Sequence, residues 1–140
     1  MSFVGSYSYS LDAKGRVFIP AKFREDLGSE FYITRKHEPY LSIYTANDWE
    51  DFVKSIQDLP ESIAAELQDY FLGAAQKCNP DGSGRIILDK KLMSHAKIDK
   101  NIVFVGAGKQ IKIWAEEVWN EREASRDLER IRDLMRQYNL

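Results

Sequence analysis

The apolar positions of this chain follow two spacings, which separate strands from helices. In several short segments apolar residues alternate with polar ones, or form runs of three or four between turn residues, as is typical of strands. The segments predicted as strands are residues 1–11, 17–19, 31–35, 41–44, 86–88, 102–105 and 111–114. Elsewhere apolar residues recur every three or four positions, which is typical of helices that bury one face. Together the two patterns predict an α+β fold.

Turn and capping residues place the ends of the predicted helices. Pro20 suits the first turn of a helix, and Gly28 suits the position after its end. Pro60 divides an apolar stretch into two helices, which we interpret as a packed connector and not a flexible linker. The predicted helices are residues 20–27, 45–59, 61–76, 90–97 and 115–138. The last is the longest, and acid-to-arginine pairs three positions apart support it modestly.

One string occurs twice and organises the rest of the chain. Residues 11–19 read Leu-Asp-Ala-Lys-Gly-Arg-Val-Phe-Ile, and residues 80–88 read Pro-Asp-Gly-Ser-Gly-Arg-Ile-Ile-Leu. Both contain Asp-x-x-Gly-Arg followed by three apolar residues. A local Asp acceptor and a Gly free to adopt positive φ are what a tight turn between strands requires. The flanking segments match at a period of about 70 residues, so we expect a duplicated unit whose halves share one core.

These strings and their flanks resemble the MraZ family of bacterial transcription regulators, whose halves belong to the AbrB and SpoVT swapped-hairpin superfamily. The residues that carry the resemblance are Phe3, Gly5, Leu11, Asp12, Lys14, Gly15, Arg16, Ile19, Pro20, Arg24, Gly84, Arg85, Ile86, Val105, Gly106, Ile113 and Trp114. The resemblance implies two tandem AbrB/SpoVT-like β-hairpin repeats that form one pseudo-two-fold, β-barrel-like core, with a helical connector and a long C-terminal helix. The implied boundaries are residues 1–58, 59–77 for the connector, and 78–140.

Composition limits the classes of protein to consider. The 140 residues suit one compact unit. No apolar run reaches the roughly 18 residues of a membrane span, and no signal segment is recognisable, so we expect a cytoplasmic protein without a membrane partner. The single cysteine, Cys78, excludes an internal disulfide, and we expect it to be buried as a small apolar residue. With two distant histidines it forms no metal site, and the sequence predicts no cofactor.

The distribution of charge matters more than the net charge of −2. Residues 47–78 hold two basic and seven acidic side chains, whereas residues 79–114 hold seven basic and three acidic ones. The repeats are therefore basic and the helical segments acidic. A basic face can bind phosphate on such a protein if the fold separates the two regions.

No catalytic set is recognisable. Ser83 lacks the Gly-x-Ser-x-Gly spacing of a hydrolase elbow, and neither His37 nor His95 lies in a suggestive context. The Gly-Ala-Gly-Lys string at residues 106–109 lies between predicted strands and predicts a hairpin turn, not a phosphate-binding loop. We therefore expect neither an enzyme nor a small-molecule substrate.

The basic residues around the two turns allow two interpretations. They form a solvated surface in which Arg16 pairs with Asp12, or they form a cationic tip on a rigid hairpin, where Arg can bind phosphate or read guanine. The family resemblance favours DNA binding. The predicted DNA-binding residues are Lys14, Arg16, Lys22, Arg24, Arg85 and Lys91, and the predicted turn residues are Asp12, Gly15, Asp81 and Gly84.

The second copy departs from the family pattern. Asp89 and Met93 stand where the first copy has Pro20 and Arg24. Ser83 replaces the lysine of the first turn. Because the second half thus loses cations, we expect the two halves to contribute unequally to DNA binding.

The apolar helix faces exceed what a small duplicated core can cover, which predicts a homo-oligomer. The resemblance implies a ring of many protomers. It also implies a sequence-specific, nucleoid-associated regulator that binds short repeated sites on double-stranded DNA, upstream of the division and cell-wall gene cluster. The alternative is a structural oligomeric scaffold without specific DNA binding.

Overall fold

The computed structural model of the chain describes residues 2–140, and it is an α+β structure. The strands of this region are β1 (Ser6–Ser10), β2 (Arg16–Phe18), β3 (Phe31–Arg35), β4 (Leu41–Thr45), β5 (Gln76–Cys78), β6 (Arg85–Ile87), β7 (Asn101–Ala107) and β8 (Gln110–Ala115). The helices are α1 (Ala21–Leu27), α2 (Ala46–Gln57), α3 (Glu61–Phe71), α4 (Lys90–His95), α5 (Glu116–Ala124) and α6 (Leu128–Gln137). The predicted strands and helices all have counterparts among these elements, with shifted ends. Met1, inside the first predicted strand, lies outside the described residues.

Six of the strands form one antiparallel sheet, in the order β1-β7-β8-β4-β3-β5. The hairpins β3–β4 and β7–β8 come from the first and second repeats, respectively. They join where β4 pairs with β8, with Leu41 opposite Ile113 and Ile43 opposite Ile111. All four of these side chains are fully buried. The centre of the sheet is therefore built from both halves of the chain.

The two remaining strands form a separate antiparallel ribbon. In this β2–β6 ribbon Arg16 pairs with Ile87, Val17 with Ile86, and Phe18 with Arg85. Directly opposite residues of an antiparallel pair lie on the same face, and successive residues alternate between faces. The inner face carries Val17 and Ile86, which are 2% and 5% exposed.

One hydrophobic core unites the two repeats, as predicted. A single cluster contains the inner residues of the ribbon and the central strands of the sheet. Phe23 and Leu27 of α1 and Leu92 of α4 belong to it as well. The ribbon and these two short helices thus close the core on the side where the Asp-x-x-Gly-Arg turns lie.

Closure into a barrel is not confirmed. The six-stranded sheet is open, with β1 and β5 at its two edges. Barrel formation requires the sheet edges to pair. Here β2 and β6 pair with each other and leave the edges of the larger sheet free.

The C-terminal region also differs from the prediction of one long helix over residues 115–138. The helix is interrupted between α5 and α6, where the Ser125 hydroxyl donates to the Glu121 carbonyl at 2.9 Å. Asp127 then caps α6, its side chain accepting from the N–H of Arg130 at 3.1 Å. Short polar side chains that bond locally to the backbone end and begin helices in this way. The predicted Glu123–Arg126 ion pair is present at the break.

The connector between the repeats is anchored to the sheet by the end of β3. The Arg35 Nε donates to the Tyr70 carbonyl at 3.0 Å, and its guanidinium lies 3.9 Å from the centre of the Tyr70 ring. Thr34 donates its hydroxyl to the Phe71 carbonyl, and the Tyr70 hydroxyl donates to the Lys36 carbonyl at 2.9 Å. The bonds from Arg35 and Thr34 satisfy the last two carbonyls of α3. The helix ends at Phe71 and does not continue to residue 76.

Cys78 is buried, as predicted, with 3% of its surface exposed. Burial raises the pKa of its thiol to about 12. Across residues 2–140, no helix is both long and apolar enough to cross a bilayer.

Candidate nucleic-acid interface

The first Asp-x-x-Gly-Arg turn is held by the carboxylate of Asp12. One carboxylate oxygen accepts the backbone N–H groups of Lys14 and Arg16, both at 2.9 Å. The other accepts the Nε–H of Arg16 at 2.6 Å. Gly15 donates its N–H to the Asp12 carbonyl at 3.0 Å and adopts a φ of +78°. The side chain that closes the turn therefore also fixes the direction of the Arg16 guanidinium.

The second turn repeats these contacts bond for bond. The Asp81 carboxylate accepts the N–H groups of Ser83 and Arg85 at 2.9 Å, and the Nε–H of Arg85 at 2.9 Å. Gly84 adopts a φ of +82°. The arginine side chains of the two turns are about equally exposed, Arg16 at 32% and Arg85 at 30%.

These hydrogen bonds lower the pKa of both carboxyl groups. For Asp12 the largest cause is the bond from the Arg16 backbone N–H, and for Asp81 it is the bond from the Arg85 backbone N–H. Both pKa values lie below the ordinary value of 3.8. Each turn therefore keeps an ionised Asp and a fixed guanidinium over the whole neutral range.

The ribbon places the two turns at its opposite ends, and each turn contacts the other repeat. The N–H of Leu88 donates to the Gly15 carbonyl at 3.0 Å, and the N–H of Ile19 donates to the Gly84 carbonyl at 2.9 Å. Every turn thus lies against the strand end that leads into the helix of the opposite repeat.

Because of this pairing, each turn lies next to the helix that follows the other turn in sequence. Arg24 of α1 lies against the second turn, since a Cβ placed on Gly84 would be 2.7 Å from its guanidinium carbon. The Arg24 Nε donates to the Ile19 carbonyl at 2.8 Å, which holds the side chain there. Likewise, residues of the second repeat lie beside the first turn, where Asp89, Lys90 and Met93 line a cleft.

The exchange changes which cations lie near each turn, and the unequal contribution of the two halves to DNA binding stays a prediction. That expectation assigned each turn the cations that follow it in sequence. In the structure Arg24 supplements the second turn, and the acidic Asp89 lies near the first. The spatial neighbourhood of each turn therefore contains cations from both repeats.

The other predicted DNA-binding residues are lysines at the surface. Lys14 lies in the first turn, Lys22 on α1 and Lys91 on α4, and all three are exposed. Within the region that the structure describes, none of them forms an ion pair. Their charges are thus available to an external anion.

Two residues of the same surface were not identified from the sequence. Phe18 and Ile87 share the outer face of the ribbon with Arg16 and Arg85, and they are 43% and 60% exposed. The apolar triplets after the arginines indicate buried strands, and only the alternation of faces distinguishes the middle residue of Val17-Phe18-Ile19 from its neighbours. The register with β6 decides that Phe18 points outwards.

A side-chain amide connects this ribbon to the sheet. Gln76 of β5 donates its Nε2 to the Ile87 carbonyl at 2.5 Å and accepts the N–H of Asp89 at 2.9 Å. A groove of about 280 Å³ runs between β5 and the ribbon, and both Arg16 and Arg85 line it. The position of the ribbon on the sheet is therefore fixed.

Over residues 2–140, no group of three or more His, Cys, Asp or Glu side chains could hold a metal ion. The Nε2 of His95 hydrogen-bonds to the Glu38 carbonyl at 2.9 Å, and the backbone N–H of Ser83 is used to close its own turn.

Comparison with known proteins identifies the family of the chain. The family model "MraZ protein, putative antitoxin-like" matches residues 2–69 and again residues 71–136. A protein of Lachnoclostridium phytofermentans is 39% identical over 139 residues, 99% of this chain and 98% of its own. A protein of Carboxydothermus hydrogenoformans is 41% identical over 121 residues, which is 84% of this chain and 84% of its own. A protein of Caldanaerobacter subterraneus is 38% identical over 127 residues, 89% of both chains. All three relatives are named transcriptional regulator MraZ. The chain, with its two matched repeats, belongs to the MraZ family.

Proposed function

We propose that this chain is a sequence-specific, DNA-binding transcriptional regulator that reads double-stranded DNA with the outer face of the β2–β6 ribbon. The observation that carries the proposal is the antiparallel pairing of the two turn strands. It presents the fixed guanidiniums of Arg16 and Arg85 on one face. The relatives' name, transcriptional regulator, agrees with this function.

The arginines are suited to base recognition because they are oriented before binding. Each uses its Nε to bond the Asp of its own turn, which leaves the two terminal nitrogens of the guanidinium for a partner. A guanidinium can donate two parallel bonds to O6 and N7 of guanine in the major groove. Orientation by a fixed carboxylate lowers the entropy lost on binding.

The lysines are suited to a different task. Lys14, Lys22 and Lys91 are exposed, so they can neutralise phosphates without reading sequence. Many of the acidic residues lie in the helices α2, α3 and α5, outside the ribbon. The fold thus allows a basic face on a chain whose net charge is −2.

The two halves act as one reading surface in this proposal. The matched carboxylate bonds of the two turns, and the matched Leu88–Gly15 and Ile19–Gly84 backbone bonds, support a local two-fold relation between the repeats. Residues 1–58 and 78–140 would each supply one arginine and one strand, and residues 59–77 would connect them. We expect both halves to contact DNA.

Self-association would raise the affinity of such small contact surfaces. The helix α6 and its C-cap, Tyr138, carry an apolar stripe whose residues are exposed to between 37% and 69%. The stripe consists of Leu128, Ile131, Met135 and Tyr138. We propose that such surfaces assemble the chain into a ring-forming homo-oligomer. Several ribbons on successive short repeats, upstream of the division and cell-wall gene cluster, would then multiply modest affinities. The protein would accordingly be cytoplasmic and nucleoid-associated.

A binding selection from a random duplex library tests the function. The wild-type protein should enrich short repeated sequences, and the Arg16→Ala/Arg85→Ala double variant should enrich none. Lys54→Ala serves as a control, since it removes one exposed cation from α2, away from the ribbon. If the wild-type protein binds all duplexes alike or none, the chain is a structural scaffold whose Asp–Arg pairs only hold the turns.

A further inference from the structure

The outer face of the β2–β6 ribbon combines charged and apolar side chains in a regular arrangement. Arg16 lies opposite Ile87, and Phe18 lies opposite Arg85, so the two arginines occupy one diagonal and the two apolar residues the other. The Arg85 guanidinium carbon lies 5.8 Å from the centre of the Phe18 ring. Four side chains therefore form one continuous exposed surface, which we call the ribbon face.

Phe18 and Ile87 leave much of their apolar surface in water. Their sequence neighbours Ile19 and Leu88 are 1% and 2% exposed and belong to the core. A large apolar side chain gains free energy only when it leaves water. Exposed positions of a short strand are commonly polar, so two large apolar residues on one small face indicate a binding partner.

The ribbon face has the dimensions of a major-groove reader. A two-stranded β-ribbon fits the major groove, which is about 12 Å wide. Side chains two positions apart along a strand, such as Arg16 and Phe18, are separated by roughly 6.8 Å. That distance corresponds to about two base-pair steps, at roughly 3.4 Å each. The major-groove edge of each base pair presents hydrogen-bonding groups, and thymine alone adds an apolar group, its C5 methyl.

We propose that Phe18 and Ile87 are specificity-determining residues that pack against thymine methyl groups, next to the bases that Arg16 and Arg85 read. The inference rests on the DNA binding proposed above and adds a preference to it. The arginines select guanine, and the apolar residues select thymine about two base-pair steps away along the same strand of the ribbon. Each repeat would thus read one guanine and one thymine.

The charges around the face favour DNA over a protein partner. A protein that covered Phe18 and Ile87 with apolar side chains would also have to desolvate two guanidiniums and their paired carboxylates. Lys14 adds an exposed cation in the turn next to β2. DNA can contact both kinds of side chain, because its base edges offer acceptors to the guanidiniums and methyl groups to Phe18 and Ile87. Its phosphates remain at the sides, where the lysines can reach them.

Replacing thymine with deoxyuridine tests the inference directly, because deoxyuridine lacks only the C5 methyl. In a duplex that the protein has selected, each thymine is replaced in turn, and affinity is measured by fluorescence anisotropy. We expect about a fourfold loss at each contacted thymine, the effect of one methyl group returned to water. In Phe18→Ala the loss should disappear at one position of the half-site, and in Ile87→Ala at another.

The matched control is Ile63→Ala, which removes an apolar side chain that is 49% exposed on α3. It should keep every deoxyuridine effect of the wild-type protein. Phe18→Leu, which retains an apolar side chain, should keep part of the thymine preference and guards against a general defect of the alanine variant.

The outcomes separate this inference from the function on which it rests. If the wild-type protein selects a sequence but tolerates deoxyuridine at every position, the inference is wrong and the regulator function stands. If Phe18→Ala and Ile87→Ala change the assembly mass and leave the base preferences intact, the face is a protein interface and the inference is wrong. If no sequence is selected, both proposals fall.

Discussion

Arg24 of the first repeat lies against Gly84 of the second turn. Its guanidinium carbon is 2.7 Å from the point where a Cβ on Gly84 would be, and its Nε is fixed by the Ile19 carbonyl at 2.8 Å. A larger residue at this position would have to adopt a φ of +82° and would also displace the arginine. This contact shows that the basic surface near the second turn is assembled from both repeats.

We expect Gly84→Ala to reduce DNA affinity more than Gly15→Ala. Both glycines have positive φ, so each substitution should lower the free energy of unfolding by roughly 1–2 kcal/mol. At Gly15 the nearest atom to an added Cβ is the Leu88 carbonyl oxygen at 3.9 Å, which leaves room for it. At Gly84 the Cβ would displace Arg24 as well. Urea unfolding and anisotropy measure the two effects separately.

Gly108→Ala is the control for backbone strain. Its φ is +77°, an added Cβ would meet nothing within 4 Å, and it lies in the β7–β8 turn. It should lose stability as Gly15→Ala does and keep its DNA affinity. Equal DNA affinities for all three variants would show that the position of Arg24 has no part in binding.

We expect Arg16→Ala and Arg85→Ala to abolish sequence preference to a similar degree and to leave the fold intact. The turns should survive because each Asp still accepts two backbone N–H groups. Arg16→Lys keeps the charge but lacks the planar fork, so it should retain general affinity while the preference for its base falls by about 1–3 kcal/mol. Circular dichroism and binding to a panel of duplexes check both points. Unfolding of Arg16→Ala would mean that the arginine is mainly a structural partner of Asp12.

Much of the fold follows from local patterns, and the arrangement of the turns does not. Asp-x-x-Gly-Arg and the apolar spacing predict the turns, most strands and most helix ends, because those features depend on residues a few positions apart. The strand β5 was not predicted, since the apolar spacing indicated a helix up to residue 76. The pairing of β2 with β6 depends on segments about 70 residues apart in sequence, at the repeat period itself. Without knowledge of that pairing, the position of Arg24 next to the second turn could not be predicted.

The same limit explains the two residues of the ribbon face that sequence reasoning missed. The string Ile86-Ile87-Leu88 reads as a fully apolar strand, although Ile87 is 60% exposed and its two neighbours are buried. A three-residue strand is too short for alternation to be recognised from the sequence. The division of the C-terminal region into α5 and α6 was likewise missed, since Ser125 and Asp127 are also compatible with a continuous helix.

We expect the apolar stripe of α6 to be needed for assembly. Ile131→Asp and Met135→Asp place a charge on the stripe, and each should lower the assembly mass measured by light scattering, because a buried unpaired carboxylate disfavours association. Gln137→Asp adds the same charge to an exposed residue of α6 outside the stripe and should leave the mass unchanged. If the wild-type protein is a monomer at micromolar concentration, it does not form the proposed oligomer. Several ribbons could then not bind one DNA site together and raise the affinity.

We expect stability to fall at alkaline pH, in part because of Cys78. Burial raises the pKa of its thiol from 9.0 to about 12 in the folded chain. Its contribution is therefore fully present below pH 9 and is lost as the pH rises towards 12, by up to about 1.4 kcal/mol per pH unit. Cys78→Ala should remove that part of the slope in urea unfolding measured from pH 8 to 11. The same slope in both proteins would show that the thiol does not ionise on unfolding.

The salt dependence of DNA binding distinguishes phosphate contacts from base contacts within the same surface. The logarithm of affinity should fall linearly with the logarithm of salt concentration, with a slope of about −0.9 per phosphate neutralised. For two or more protomers on one site, we expect a slope steeper than about −4, from Lys14, Lys22 and Lys91 together with the arginines.

Lys22→Ala should flatten the slope by about one unit per bound protomer and weaken all duplexes alike. Arg16→Ala should in addition remove the preference among duplexes, because a base contact carries sequence information and a phosphate contact does not. An affinity that is independent of salt would mean that these basic residues do not hold DNA, and the scaffold interpretation would then account for the Asp–Arg turns.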